Sequence, residues 1–208
     1  MGQASSIDYF RKQAKLLCNS AAKGDAKFLG RLRRYLPDSD TRFGLMKCQH
    51  VVALEHGLSS WKQLLHADEV ELRLAITMAR EPLLNDHGIG VFDGYRNLPI
   101  DQRRRILQDG RRELRKSVER VGTTLTWLRA NLGPVKTLSQ PLSSYFLKHL
   151  AEGDVGYITN GVFIAAAIIG GYPHRFYPDS PNVGFGVSRR SVRLVEQRQT
   201  RAGTHVVA

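Results

Sequence analysis

Cysteine, acidic residues and long apolar runs are all scarce in this chain of 208 residues. Its two cysteines, Cys18 and Cys48, are too few for a small disulfide-stapled domain, and their helix-like apolar neighbours predict two free thiols in a core. The longest apolar run, residues 162–169, is far shorter than the roughly 20 residues that span a bilayer. No apolar signal segment opens the chain. We therefore predict a cytoplasmic protein without a transmembrane segment.

The shortage of acidic residues is the strongest signal in the composition. There are 19 Asp and Glu residues against 31 Lys and Arg residues, so the formal net charge is +12 and the pI is near 10.1. That surplus exceeds what solubility requires of a small protein. It favours a polyanionic partner, nucleic acid first, because phosphates neutralised by a protein release condensed counterions. An acidic protein surface or an anionic membrane would suit the same charge.

Motifs of catalysis are also missing: we find no phosphate-binding glycine loop, no nucleophile elbow and no Cys-x-x-Cys pair. His149 and Glu152 lie three residues apart, a spacing that a metal site or an acid–base pair could use, but no third ligand follows. We predict no metal and no cofactor. A non-catalytic protein is favoured over an enzyme that would use Tyr145, His149 and Glu152.

Apolar residues recur at helical spacing through residues 1–81. Gly24 and Gly57 are expected helix ends, while Asp25 and a capping box formed by Ser60 and Gln63 are expected helix starts. Short helices are marginal in water and must bury their apolar stripes against each other. We therefore predict an N-terminal helical bundle over residues 1–81.

The next segment contains Pro82 and three glycines and predicts a linker over residues 82–98. From Pro99 to Leu132, apolar residues then follow at steps of three and four, which predicts a single long helix closed by Gly133. Between Arg96 and Arg120 this segment holds nine basic and four acidic residues, a net charge of +5. The long helix is therefore strongly basic.

The C-terminal part changes pattern. Ser143 or Ser144 can cap one helix and Thr159 a second, and two short strands at residues 174–177 and 183–187 follow as a hairpin. The fold class predicted is mainly α: the bundle, the long basic helix, and a helix-turn-helix with a small β-hairpin that is winged-helix-like. Residues 99–188 are expected to form this second part, and residues 189–208 a frayed basic tail.

Two segments resemble known sequences. Residues 47–64, with Cys-Gln in a helix, a Glu-His-Gly-Leu stop and Ser-Ser-Trp at the next start, resemble a small helical module found beside ankyrin-type repeats and in other bacterial proteins. Leu58 stands where that module usually has Phe. This resemblance implies a fold and no activity.

The second resemblance lies in the C-terminal part. It is carried by Ser143-Ser144-Tyr145, Leu147-Lys148-His149, Ala151-Glu152, Gly156-Tyr157-Ile158-Thr159-Asn160-Gly161, Phe163-Ile164-Ala165-Ala166-Ala167 and Ser180-Pro181-Asn182. These motifs look like an uncharacterised family carried on bacterial plasmids and integrative elements. The resemblance implies a mobile-element setting and raises the expectation of a DNA-related role.

Candidate binding residues fall in two groups. On the long helix, Arg104, Arg111 and Arg115 share one face that could follow a phosphate backbone, or that could be a solvated surface partly neutralised by nearby carboxylates. In the C-terminal part the candidates are Tyr145, Lys148, His149, Thr159, Asn160 and Arg175. Free N–H groups at the Thr159 cap could bind a phosphate, whereas Asn160 could equally just shape the helix entry. The helix after Thr159 is too apolar to read base edges, so we expect it in the core.

The function predicted is non-catalytic nucleic-acid binding, with DNA favoured, as an accessory protein of a bacterial mobile element. The alternative is a protein-interaction adaptor or effector that binds an acidic protein partner through the N-terminal part, whose first 36 residues carry a net charge of +6. Met1, Gly2 and Ser6 fit a myristoylation pattern, which we interpret as a frayed start. The oligomeric state is left open.

Overall fold

A computed structural model describes residues 5–37, 43–91, 93–95 and 97–204. The chain is mainly helical, with 66% helix, ten α-helices in the described part, and small antiparallel sheets. It divides into two compact units, Met1–Ala79 and Arg80–Ala208. The mainly α class predicted from the sequence is therefore confirmed. Met1 and Gly2 of the myristoylation pattern lie outside the described residues, whereas Ser6 is buried at the start of a helix.

Five helices account for the N-terminal segments predicted to be helical. They are α1 (Ser6–Ala22), α2 (Ala26–Tyr35), α3 (Leu45–Glu55), α4 (Trp61–His66) and α5 (Glu69–Arg80). Their apolar stripes share one core in which Phe10, Leu17, Leu32 and Leu64 are fully buried. The stripe spacing thus predicted which residues the helices bury.

Helix starts in this unit follow the expected capping chemistry. The Asp25 carboxylate accepts the Lys27 N–H at 2.9 Å, and Ser60 Oγ accepts the Gln63 N–H at 3.1 Å. The Gln63 side chain, however, accepts the N–H of Ser59 at 2.7 Å, one residue before the cap that a capping box would use.

Both cysteines are free thiols, as predicted. Cys48 is buried in the core and Cys18 packs against it half-buried. Burial raises the pKa of the Cys48 thiol to about 12, so this group stays protonated at neutral pH.

The second unit begins with a small hairpin. In chain order it contains β1 (Leu84–Asn85), β2 (Gly88–Ile89), a 3₁₀ turn (Asp93–Tyr95), α6 (Ile100–Lys116), α7 (Val118–Asn131), β3 (Leu142–Ser143), α8 (Ser144–Val155), α9 (Asn160–Ile169), β4 (His174–Phe176), β5 (Val183–Phe185) and α10 (Arg189–Thr204). The predicted linker at 82–98 is wrong for its described part. Leu84 and Asn85 are buried, and the hairpin packs against α6 and α9.

The single long helix predicted over residues 99–132 is also wrong, because it ends and restarts at Ser117. The Ser117 N–H bonds to Leu114 O, a turn of i→i−3 type, and Ser117 Oγ donates to Glu113 O at 3.1 Å. A serine hydroxyl that bonds back to its own helix bends that helix. The apolar stripe continues across the break, so periodicity alone gave no sign of it.

α9 lies in the core, as its composition predicted. It packs against α7 and α8, and Phe163 is fully buried with its ring 6.0 Å from that of Phe185. The predicted two helices and hairpin are present, with a third strand added. β3 pairs with β5, so the antiparallel sheet has the order β3-β5-β4.

The predicted frayed tail after residue 188 is wrong over its described length, because it forms α10. Val192 and Val195 are buried, and Gln199 Nε2 donates to Leu150 O of α8 at 2.9 Å. Ser188 Oγ accepts the Ser191 N–H at the helix start. Residues 205–208 lie outside the described part.

Within the described residues, no helix has the length and apolarity that crossing a membrane demands.

Candidate functional site

The three arginines expected to share a face of the long helix lie in different settings on α6. Arg104 is exposed and its guanidinium lies 3.5 Å from the Asp101 carboxylate, a surface ion pair worth little. Arg115 is half-buried. Arg111 points inward. These three side chains therefore do not form one solvent-facing row of cations.

Arg111 is a structural residue. Its Nη1 donates to the carbonyl oxygens of Glu81, Pro82 and Leu84 at 3.1, 2.8 and 2.8 Å. Burial and the nearby charge of Arg115 lower the pKa of Arg111. The guanidinium thus fastens the start of the hairpin to α6 instead of reaching a phosphate, which corrects the prediction for this residue.

Other cations of α6 are paired with carboxylates of their own helix. Arg112 bonds to Asp109, and Lys116 Nζ lies 2.8 Å from a Glu113 oxygen. The alternative interpretation of the sequence, a solvated surface partly neutralised by neighbouring carboxylates, describes this helix better than a phosphate-binding face. Arg96 of the basic segment lies outside the described residues.

Lys148 and His149 of α8 lie together around Glu152, one turn later on the same helix. Lys148 Nζ is 2.7 Å from Glu152 Oε1, and His149 Nδ1 is 2.6 Å from Glu152 Oε2. The Ile158 N–H also donates to Glu152 at 3.2 Å. Burial alone would raise the pKa of Glu152, but bonds from Lys148, Ile158 and His149 outweigh it and lower that pKa.

The exposure of the Lys148 and His149 side chains differs. The Lys148 side chain is only 7% exposed, while that of His149 is 50% exposed. The ring of Tyr145 contacts the His149 ring edge-on, with centroids 4.5 Å apart. Tyr145, His149 and Glu152, the trio of the enzyme alternative, are therefore neighbours in space as well as on one helix.

Thr159 and Asn160 serve the fold at the start of α9. Thr159 Oγ1 caps the Val162 N–H and donates to the Asp86 carboxylate at 2.8 Å. The Gly161 N–H donates to Asp86 O at 2.9 Å. The turn between β1 and β2 therefore occupies the helix N-terminus that we expected a phosphate to use.

Asn160 is buried and its Nδ2 donates to Asn182 Oδ1 at 3.1 Å and to Pro181 O at 3.2 Å. Its setting supports the alternative that it shapes the helix entry. Gly161 completes this close packing, because a Cβ at that position would lie 1.9 Å from Asn85 O.

Arg175 is exposed on β4, an edge strand of the three-stranded sheet. Nothing else among the predicted site residues contacts it in the described bonds. Its exposed side chain is open to solvent.

A further basic surface lies where the sequence interpretation placed a frayed tail. On α10, Arg189, Arg190, Arg193 and Arg201 are exposed, and among the described residues none of them has a carboxylate partner. They lie opposite the stripe formed by Val192 and Val195, so they share the outward half of the helix. We call these four residues the α10 arginine surface.

Rigid contacts hold this surface in place. Arg198 is itself exposed, and it bonds to Asp154 and donates to Asn131 Oδ1 at 2.7 Å. Gly133 N donates to Ser191 Oγ at 3.2 Å near the start of the helix. Val192, Val195 and Gln199 recur at steps of three and four residues. This helical spacing was the sequence signal that could have predicted α10.

A groove of about 770 Å³ is a further feature of the second unit that the sequence did not indicate. Apolar side chains such as Leu83, Ile100 and Phe176 line it, together with Arg103 and Arg104 of α6. Across the described residues, no three His, Cys, Asp or Glu side chains are grouped as a metal site would require.

No protein-family model, no curated protein and no solved structure matches this chain. Inference of its function therefore depends on the chain's own residues.

Proposed function

We propose that this protein binds nucleic acid without catalysis, with duplex DNA as the favoured partner, through the α10 arginine surface. The observation that supports this proposal is the arrangement of four exposed arginines on one side of a helix whose other side is buried by Val192 and Val195. Cations without carboxylate partners keep their full attraction for phosphates. The net charge of the whole chain, +12, also attracts phosphates.

The shape of α10 suits a groove of DNA. An α-helix with its side chains is about 10–12 Å wide and the major groove is about 12 Å wide. Arginine is the side chain that most often recognises guanine there, through two parallel bonds to the base edge. Gln197 is exposed between Arg193 and Arg201 and offers an amide for adenine. α10, and not the apolar α9, has the polar face that a reading helix needs.

The resemblance of the C-terminal part to a family from bacterial plasmids and integrative elements leads us to propose an accessory role on a mobile element. Binding that relies on phosphates and on a few base contacts would suit such a role, because it gives affinity at many sites.

Charge reversal on α10 tests the proposal directly. In fluorescence anisotropy with a labelled duplex, the unchanged protein should lose affinity steeply as salt rises from about 50 to 200 mM. The triple variant Arg190→Glu, Arg193→Glu, Arg201→Glu should bind far more weakly. The slope of log affinity against log salt concentration should also become less negative, by about 0.9 for each phosphate contact removed.

The matched control is the triple variant Arg104→Glu, Arg105→Glu, Arg112→Glu on α6, which changes the net charge by the same amount on an exposed helix of the same unit. It should retain most of the duplex affinity. Equal losses in the two variants would show that net charge acts without a specific surface and would contradict the assignment to α10. Salt-insensitive or undetectable binding by the unchanged protein would contradict the function itself.

A second candidate function, an adaptor for an acidic protein partner, is favoured by the outward side of α1. Lys12 and Lys15 on this helix and Lys23 directly after it are exposed, as is Leu16, which is 49% exposed. An exposed apolar residue together with cations suits an acidic protein surface better than a bare phosphate chain. Pull-down after nuclease treatment should then return one acidic protein, and return none once these lysines are reversed to glutamate.

A further inference from the structure

Two tyrosines beside Lys148 expose large aromatic surfaces to solvent. Tyr145 on α8 is 55% exposed and Tyr157, in the loop before α9, is 71% exposed. Burial of such rings would stabilise the fold. Two exposed tyrosines therefore do not contribute the stability that their burial would provide. Neighbouring exposed aromatic rings are typical of contact surfaces.

Both rings are fixed by the ammonium group between them. Lys148 Nζ lies 5.8 Å from the centroid of the Tyr145 ring and 5.3 Å from that of the Tyr157 ring, within the range of cation–π attraction. Lys148 is itself held by Glu152 at 2.7 Å and by Ile158 O at 3.3 Å. The rings are therefore positioned by a buried, fully bonded ion pair.

Two further contacts strengthen this arrangement. The His149 ring packs against Tyr145 and is held in turn by Glu152. Arg120, an exposed residue, donates from Nη1 to the backbone oxygen of Tyr157 at 2.7 Å. A surface ordered in advance loses little conformational entropy when a ligand binds.

We propose that Tyr145, His149 and Tyr157 form a platform on which unpaired nucleobases of a single-stranded nucleic acid stack. This inference rests on the proposed function, since it names a second class of nucleic acid and a second surface for it. Every base has an aromatic face that a tyrosine can cover, so such stacking needs no particular sequence. Arg120 supplies a cation for the adjacent phosphate.

The local charge permits this ligand. Glu152 is the carboxylate at the centre of the cluster, and its two oxygens are taken by Lys148, His149 and the Ile158 N–H. It therefore presents no free negative charge to a phosphate. Bases inside a duplex have their faces covered by their neighbours, so we expect the platform to act on single strands alone.

The test uses the full chain and three labelled probes in fluorescence anisotropy: oligothymidine and oligouridine of about 20 nucleotides, and a duplex. Tyr145→Ala and Tyr157→Ala should each weaken single-strand binding about fivefold or more, the loss that follows from about 1–3 kcal/mol of stacking per base. Duplex binding should stay unchanged. The two single-stranded probes show whether DNA or RNA is preferred.

Matched variants separate stacking from other roles of the tyrosines. Tyr145→Phe and Tyr157→Phe retain the ring and should retain single-strand affinity, while Tyr145→Leu and Tyr157→Leu retain bulk without an aromatic face and should lose it. Circular dichroism confirms folding of each variant, and the leucine pair replaces the alanine pair if that pair unfolds. Unchanged affinity in the alanine or leucine variants, or an equal loss in the phenylalanine variants, overturns the platform.

Failure of the platform is distinguishable from failure of the proposed function. In the triple α10 variant, tyrosine-dependent single-strand binding that survives the loss of duplex binding supports the platform as a surface of its own. A protein that binds duplex in a salt-dependent way but no single strand supports the proposed function and overturns the platform.

Discussion

Arg111 shows how far a charged residue's role depends on what surrounds it. Counted in the sequence, it is one more cation on a basic helix, yet its guanidinium donates to three carbonyl oxygens of residues 81, 82 and 84. Buried carbonyl groups need donors, and arginine can supply several from one side chain. The N–H donors with which an arginine binds a phosphate can equally bind the carbonyl oxygens of a backbone turn.

We therefore predict that Arg111→Ala lowers the free energy of unfolding by about 1–3 kcal/mol, because it leaves carbonyl groups without their donor. The adjacent variant Arg112→Ala is the control, since Arg112 is exposed and pairs with Asp109 at the surface of the helix. It should change stability by less than about 0.5 kcal/mol. Urea unfolding followed by circular dichroism measures both. A stability loss for Arg111→Ala as small as that of the control would contradict the structural role.

For single residues, the sequence predicted contacts with near neighbours in the chain but not contacts with residues far away in the chain. Asp25, Ser60 and Thr159 were predicted helix caps, and each accepts a backbone bond at its helix start. Of the two alternatives predicted for the next cap, Ser143 or Ser144, it is Ser143 that accepts the bond. A cap is decided within three residues, so the sequence contains it. The inward turn of Arg111 is decided by carbonyl groups about 30 residues away in the chain, which no local pattern records.

Among the helices and strands, helices with a regular apolar spacing were predicted well. Breaks within a helix and very short strands were not. The break at Ser117 lies within an unbroken apolar stripe, and β3 has only two residues, Leu142 and Ser143, too few for an alternation to be seen. α10 was missed because its buried stripe is narrow and its composition is dominated by arginine. Packing against α7 and α8 orders it.

The attachment of α10 provides a prediction for two adjacent residues. Val195 is 3% exposed and Leu194 is 58% exposed. Val195→Ala should leave a small cavity and lower the free energy of unfolding by about 1–3 kcal/mol, whereas Leu194→Ala should change it by less than about 0.5 kcal/mol. Chemical denaturation measures both. Equal effects, or none, would mean that α10 is not docked through its valine stripe.

Over the whole molecule, the fraction of basic side chains that are bonded to carboxylates or carbonyls differs from helix to helix. On α6 several arginines and a lysine are bonded to carboxylates or carbonyls, while the α10 arginine surface and the lysines of α1 lack carboxylate partners among the described residues. Net charge is readable from composition. Its pairing depends on the fold, which explains why the sequence predicted a basic protein but not which of its cations are bonded to carboxylates or carbonyls.

The two functions considered for this chain assign different roles to the lysines of the first unit. Lys12→Glu, Lys15→Glu and Lys23→Glu together change the net charge as much as the triple reversal on α10. If duplex binding belongs to the α10 arginine surface, this lysine variant should keep most of its duplex affinity, because these lysines are then not among the phosphate contacts. Anisotropy titrations of the two variants side by side provide the measurement. A loss as large as that of the α10 variant would show that net charge alone governs binding. Intact duplex binding together with loss of an acidic protein partner would assign the α1 surface to the second candidate function.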